Sequence, residues 1–456
     1  MGPTLYNFIR KLRDVNEKYR DMKDGSRVMG QGSWKIKMGQ GAWKNKVFIA
    51  VVIAVMIFGI GVRLSNLNVS TRTPDEMVYT AYASAMNELG IKNYKKVINE
   101  YNSNEKMWVY PLPVRIGYIY LCSRIMRLVG SNNVEVLALI SCVSSIFSLF
   151  ILVLIGLRFF NRWVTVVALA LASVSPMDLA IARRAWQDGV LALFAALLIY
   201  ICCEISYKPR SKGWFIVFFL LGLCCVVIKE TGIVIYGLCI LGVLWITLIK
   251  EKSFKKSLYY VVIPSFLGIG IGFFIVSAVC GGFLNVIEVV KHSMGSFKTN
   301  EYVLTFHSGP WYQIFQGFFI LSPVTTILSF MGIIGTVFFQ KVRGGIYRVA
   351  ISKQPSRVGI IFFMITFVGI VMGPRHFKNF RFVSSIYPFL YLMAGVGCLF
   401  IMRVLREKLK ILPSYVVGFG IILAVFTAVF FDYQNFKSIF IVKEIPDLAV
   451  KLIIDH

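Results

Sequence analysis

The sequence predicts an all-α, polytopic membrane protein. Of its 456 residues 57% are hydrophobic and only 16% charged, with a mean hydropathy of +0.71, well beyond the usage of soluble domains. Apolar runs long enough to cross about 30 Å of hydrocarbon recur along nearly the whole chain. Lysine and arginine gather in short loops between those runs, which is how membrane topology is set.

Residues 1–46 form a polar, basic leader in which Arg10, Lys11, Arg13 and Lys18 alternate with Asp14, Glu17 and Asp21. They read as a solvated helix on the cytoplasmic side. A short repeat from Met29 to Lys46 sets Trp34 and Trp43 among lysines, which suits either an anionic membrane surface or a linker. The first apolar run begins only after this leader, so it is not a cleavable signal peptide.

The membrane domain is expected over 47–431. Spans are placed at 47–64, 134–157, 163–178, 187–204, 214–228, 231–249, 257–280, 316–339, 358–372, 382–402 and 413–431, about eleven helices. With the N-terminus inside, the loops at 158–162, 206–213, 250–256, 340–357 and 403–410 are cytoplasmic, and each is basic. The outer side receives the first loop at 65–133, later loops at 281–315 and 373–381, and a tail at 432–456. Within the first loop, 113–130 carries Arg115, Arg124 and Arg127 and reads as a helix lying on the membrane surface. Counting it as a span would put every later basic loop outside.

The formal charge of +27 would suggest nucleic acid in a soluble chain, but here it serves topology, and no nucleic-acid partner is expected. The nine cysteines lie mainly inside apolar runs at no metal-binding spacing, which suits packing.

The informative charges are those that break the rule. Arg183, Arg184, Lys229, Arg375, Lys378 and Arg381 all fall at outer helix ends. The adjacent acids Asp75 and Glu76 sit just beyond the first span, as solvated loop or as an acid/base centre facing the outer water layer. Lys229 and Glu230 interrupt an otherwise apolar stretch, as a tight turn with paired charges or as a cation aimed at a ligand. Arg184 and Asp188 stand at i, i+4 and could bridge on one helix face. The basic, aromatic stretch 373–382 suits a phosphate or lipid headgroups in general.

In order, these pieces resemble the GT-C membrane glycosyltransferases, in particular the protein O-mannosyltransferase and aminoarabinose transferase branch. Asp75-Glu76-Met77-Val78-Tyr79 is similar to the family's first-loop Asp-Glu-x-x-Tyr. Tyr110-Pro111-Leu112-Pro113 followed by Arg127-Leu128-Val129-Gly130 resembles its surface-helix segment, with Tyr110 where a histidine is common. Ser175-Pro176 with Arg183, Arg184 and Asp188, the turn Lys229-Glu230-Thr231-Gly232, Gly309-Pro310-Trp311-Tyr312, and Arg381-Phe382 with Pro388 match later elements. The likeness covers about residues 47–405; the leader has no counterpart.

The resemblance implies a GT-C-type fold with amphipathic surface helices in the first outer loop, and transfer of a sugar from a polyprenyl-phosphate donor to a hydroxyl of a protein, lipid or glycan. Transfer is expected to invert the anomeric centre, at the outer face of a prokaryotic plasma membrane. Such a transfer needs a base for the acceptor proton and positive charge for the departing phosphate. Asp75 and Glu76 are the catalytic candidates. Lys229, Arg375, Arg381 and Arg184 are the phosphate candidates, and Asp188, Tyr79, Lys378 and Tyr110 are expected to position substrate. No cofactor is expected, nor a metal, since His292, His307 and His376 match no ligand spacing. A lipid-linked glycan flippase and a polysaccharide polymerase or ligase are the competing classes; internal inverted repeats and mid-span charge would favour the flippase, but most spans lack central charge and the two halves do not match.

Overall fold

The computed structural model describes residues 31–67, 69, 71–207, 212–251, 258–306, 308–338, 354–372, 379–408 and 414–442. These are helices and short connections, with no strand among the described residues. By internal contacts the chain forms two units, 1–53 and 54–456. Helix α1 (Gln31–Ser65) runs unbroken past the expected boundary at 46. In the first unit its side chains at Val47, Ile49, Val51 and Ile53 are exposed.

The first loop folds into α2 (Pro74–Leu89), α3 (Lys95–Ser103) and α4 (Ile116–Val129). Next come α5 (Val134–Phe159), α6 (Arg162–Val174), α7 (Pro176–Ala182), α8 (Gln187–Tyr207), α9 (Lys212–Ile228), α10 (Thr231–Glu251) and α11 (Ile263–Val279). The remainder are α12 (Phe283–Thr299), α13 (Glu301–Phe306), α14 (Gln313–Leu321), α15 (Pro323–Phe338), α16 (Gln354–Met372), α17 (Tyr387–Lys408) and α18 (Ser414–Phe436). Five of the described helices are long and apolar enough to cross a membrane, or up to eight spans if each of three bent pairs counts as one; three shorter apolar helices accompany them. Each predicted span coincides with one of these. Large apolar side chains stay exposed along them, among them Phe266, Phe274, Phe419 and Phe426 at 67–72%. A water-soluble chain does not leave such a belt uncovered, whereas lipid covers it.

Three pairs of apolar helices bend sharply at short breaks. Helices α6 and α7 bend by 55° where Pro176, lacking an N–H, starts a new helix, and α14 and α15 bend by 119° at Pro323. Between α11 and α12 the bend is 89°. The break after α6 strands its last carbonyls, and buried Arg63 takes them up. It donates to Ala172 O and Ser173 O at 3.1 Å each, to Gly59 O at 3.1 Å and to Ser145 Oγ at 2.8 Å.

Helix α4 lies in the segment expected to rest on the surface and is amphipathic. It buries Ile116, Ile119, Cys122 and Met126 while Leu128 is 80% exposed. The strap before it is tied down by tyrosines, with Tyr82 donating to Pro111 O and Tyr94 to Pro113 O, both at 3.2 Å. The last span runs further than expected. Helix α18 continues past 431 to Phe436, and Asp432, placed in the tail by sequence, is buried and accepts from Thr325 Oγ1 at 3.0 Å. The rest of the leader and tail, and the loops at 208–211, 252–257, 339–353, 373–378 and 409–413, lie outside the described residues.

Candidate active site

Five segments bring charge to one end of the bundle: the start of α2, the strap before α4, the link 183–186 between α7 and α8, the turn between α9 and α10, and a 3-10 turn at Phe380–Ile386. Helix α2 opens on Thr73 as N-cap with Pro74 in its first turn, where acids are favoured. Consecutive helical residues point about 100° apart, so Asp75 and Glu76 face different surroundings.

Glu76 is completely buried and spends both oxygens. Oε2 accepts from Thr73 N (2.7 Å), Thr73 Oγ1 (3.1 Å) and Arg184 Nη1 (2.9 Å). Oε1 accepts from Ala185 N (2.8 Å) and Arg72 Nη1 (3.1 Å). It thus closes a capping box and pins α2 to the 183–186 link. With no face open to solvent and both oxygens engaged, Glu76, one of the two expected catalytic acids, anchors α2 in this structure. Arg184, expected at the donor phosphate, is engaged by the same carboxylate. Its guanidinium is bound to Glu76 and to Thr71 O (2.6 Å). The expected i, i+4 bridge from Arg184 to Asp188 does not form, because helix α8 begins only at Gln187.

Asp75, by contrast, is about a quarter exposed, and its Oδ2 lies 2.6 Å from Arg381 Nη1. Among the described residues nothing donates to its second oxygen. The 3-10 turn holding Arg381 is started by Asn379, whose side chain accepts from the Arg381 amide at 3.1 Å. The Arg381 guanidinium lies 5.1 Å from the Trp186 ring and 5.4 Å from the Phe382 ring.

Asp188 and Lys229 form a second pair at 2.6 Å, each side chain 1% exposed. Burial lowers the Lys229 pKa and the Asp188 charge opposes it. The Lys229 ammonium sits 4.7 Å from the same Phe382 ring that faces Arg381, so the two pairs are neighbours. Asp188 Oδ2 is buried without a hydrogen-bond partner.

Arg115 completes the group, and by sequence it stands only as a cation on a surface helix. Its Nη1 meets Tyr79 Oη, its Nε donates to Glu230 Oε2 at 2.9 Å, and its Nη2 to Glu230 Oε1. Arg115 and then Lys229 hold the Glu230 carboxyl down to about 2. Burial pushes the Tyr79 phenol up, so it stays protonated. A glycine allows this approach: a Cβ on Gly117 would stand 2.9 Å from Val227 O, while one on Gly232, 1.9 Å from Cys225 O, would force α9 and α10 apart at the turn. The start of α4 and the hairpin turn at 229–230 can therefore close on each other.

An apolar groove leads away from this turn. Arg115, Lys229 and Glu230 line one part of it, and Val227, Ile233, Phe273, Val276, Val286 and Val290 wall the rest, around about 460 Å³ of atom-free space with its mouth included.

Of the remaining expected residues, Tyr79 joins the cluster through Arg115. Tyr110 does not: it is half-buried in the turn before Pro111 and makes none of these contacts. Arg375 and Lys378 lie outside the described residues, as do His307 and His376. His292 stacks on Trp108 at 3.9 Å, joining α12 to the first loop. Among the described residues no group of three metal-binding side chains forms.

Residues 114–279 match the family described as dolichyl-phosphate-mannose-protein mannosyltransferase. No curated protein matches the chain by sequence. Among solved structures, the archaeal oligosaccharyltransferase AglB from Archaeoglobus fulgidus, in complex with an inhibitory peptide and a dolichol-phosphate, superposes with a TM-score of 0.54 at 11% identity. That match covers 87% of this chain and 56% of the archaeal one, so this chain spans a little over half its length. ArnT from Cupriavidus metallidurans superposes in its apo state with a TM-score of 0.51 at 14% identity, and bound to undecaprenyl phosphate with 0.53 at 15%, each covering 87% of this chain and 76% of ArnT. The fold is that of the GT-C membrane glycosyltransferases, as the ordered motifs predicted.

Proposed function

We propose that this GT-C-fold chain is an integral-membrane glycosyltransferase that moves a sugar from a polyprenyl-phosphate donor to a hydroxyl of a protein, lipid or glycan. The observation that carries the reading is the Asp75–Arg381 pair, open to solvent on one side, within the same cluster as Arg115 and the apolar groove. The matching family, and the polyprenyl phosphates bound to ArnT and AglB, support a lipid-linked donor.

Arg381 holds Asp75 by one oxygen and leaves the other for the acceptor hydroxyl. The acceptor proton passes to Asp75 as its oxygen attacks the anomeric carbon. The bond from that carbon to the phosphate oxygen breaks, and its electron pair leaves with the lipid phosphate. Direct displacement inverts the anomeric centre. Arg115 at the groove receives the phosphate, with Arg381 and Lys229 adding field, and fixed cations in a partly dry site stabilise that developing charge. The prenyl tail lies along the valine-walled groove. Asp188, paired with Lys229, holds that ammonium charged close to the site.

This charge supply is metal-independent, so transfer persists in a chelator. By the positive-inside rule the cluster lies at the outer face with the N-terminus cytoplasmic, and the family resemblance implies the plasma membrane of a prokaryote. A flippase would centre its charges at mid-span, whereas these sit at helix ends. The test is transfer of radiolabelled sugar from a polyprenyl-phosphate donor to membrane acceptors, wild type against Asp75→Asn. Labelling should fall about 10²–10⁴-fold; equal labelling refutes Asp75 as the base.

A further inference from the structure

The Arg115–Glu230 contact raises a question that the transfer reaction does not answer. Arg115 is the groove cation assigned to the lipid phosphate, yet a carboxylate grips it at two points. A carboxylate and a phosphate present the same two-oxygen edge to a guanidinium fork. Glu230 therefore occupies the place that a lipid phosphate would take on Arg115.

Its setting differs from that of the other acids. Glu76 and Asp188 are sealed and hold fixed partners, whereas the Glu230 side chain is 46% exposed on the turn between α9 and α10. The pair opens to solvent on the Glu230 side, so water can solvate the Glu230 carboxylate once a phosphate takes its place on Arg115. Arg115 is only 10% exposed and is held from its other side by Tyr79, so it stays in place when Glu230 leaves.

We infer that Glu230 is a built-in competitor for the lipid phosphate: it yields Arg115 to the donor and reclaims it to expel the product. This rests on the function proposed above. The donor is a phosphodiester with one negative charge. The product is a monoester that carries between one and two at neutral pH, its second pKa being near 6. Cations alone would grip the product harder than the donor and stall turnover. A tethered carboxylate opposes that grip at each cycle, and Glu230 is thus a specificity-setting residue.

The test uses the full chain in lipid nanodiscs with farnesyl phosphate as the probe, and inorganic phosphate as a second arm to separate groove from charge. Glu230→Gln keeps the side chain's shape but removes its charge. It should bind farnesyl phosphate about fivefold more tightly, the scale of one exposed ion pair removed. With donor present, KM and kcat should fall together and product inhibition should rise. Arg115→Gln should weaken binding, and the double variant should bind no better than Arg115→Gln alone. If wild type binds the probe and Glu230→Gln binds it equally or more weakly, Glu230 only buttresses Arg115 and the inference is overturned while the transferase reading stands. If neither binds farnesyl phosphate, the lipid-phosphate reading of the groove falls and the inference with it.

Discussion

Replacing Gly117 with alanine adds a single carbon, yet it should disable the site. The new Cβ would stand 2.7 Å from Val227 Cγ2 and 2.9 Å from both C and O of the Val227 backbone. A side-chain methyl can turn aside, but the peptide of α9 cannot, so α4 must move away by a few tenths of an ångström or more. Alanine favours helix over glycine by up to about 1 kcal/mol, less in a first turn. Overpacking against backbone costs about 1–3 kcal/mol, so the strain wins. The displacement falls two residues from Arg115, whose contacts with Tyr79 and Glu230 tolerate little shift. Misplacing a binding group by about 1 Å can cost about 10²-fold in rate. Gly117→Ala should therefore lower sugar transfer and farnesyl phosphate binding by about tenfold or more while the protein still folds. Wild-type binding and transfer in this variant would refute the claim that the α4–α9 approach positions Arg115.

Glu76→Gln should unfold the first loop rather than merely slow the chemistry. It leaves Arg72 and Arg184 short of their counter-charge in a buried place, at a cost of about 3–5 kcal/mol, seen as a large drop in melting temperature. Asp75→Asn should leave the melting temperature nearly unchanged, and the contrast separates anchor from base. Lys229→Met strands Asp188 and should destabilise by a similar amount, whereas Lys229→Met with Asp188→Leu should recover most stability by thermal melt but not transfer. Retained transfer in that double variant would remove the pair from the site.

The spans were legible because the signal for them is simply apolar length: 134–157 became Val134–Phe159, and 187–204 became Gln187–Tyr207. Their breaks were legible only in part. Pro323 lay within a run read as one straight span at 316–339, and the chain bends there by 119°. The grouping of charges was also readable, since cations on the wrong side need a reason to be there. Who pairs with whom was not. Spacing offered Arg184 to Asp188 and Lys229 to Glu230, but both rules hold only along a regular helix or within a turn. The link at 183–186 is not helical, and the third dimension set Glu76 against Arg184, Asp188 against Lys229 and Arg115 against Glu230. Arg115 was hidden for the same reason, because its role depends on the closeness of Gly117 to Val227, which no linear pattern encodes.

The central claim is that Asp75 removes the acceptor proton in a sugar transfer from a polyprenyl-phosphate donor. Purified wild type and Asp75→Asn, matched in melting temperature, can be compared in membranes for transfer of label from such a donor. The account predicts transfer by wild type, retained in a chelator, and a loss of about 10²–10⁴-fold in the variant. Labelling by Asp75→Asn at the wild-type rate would contradict it.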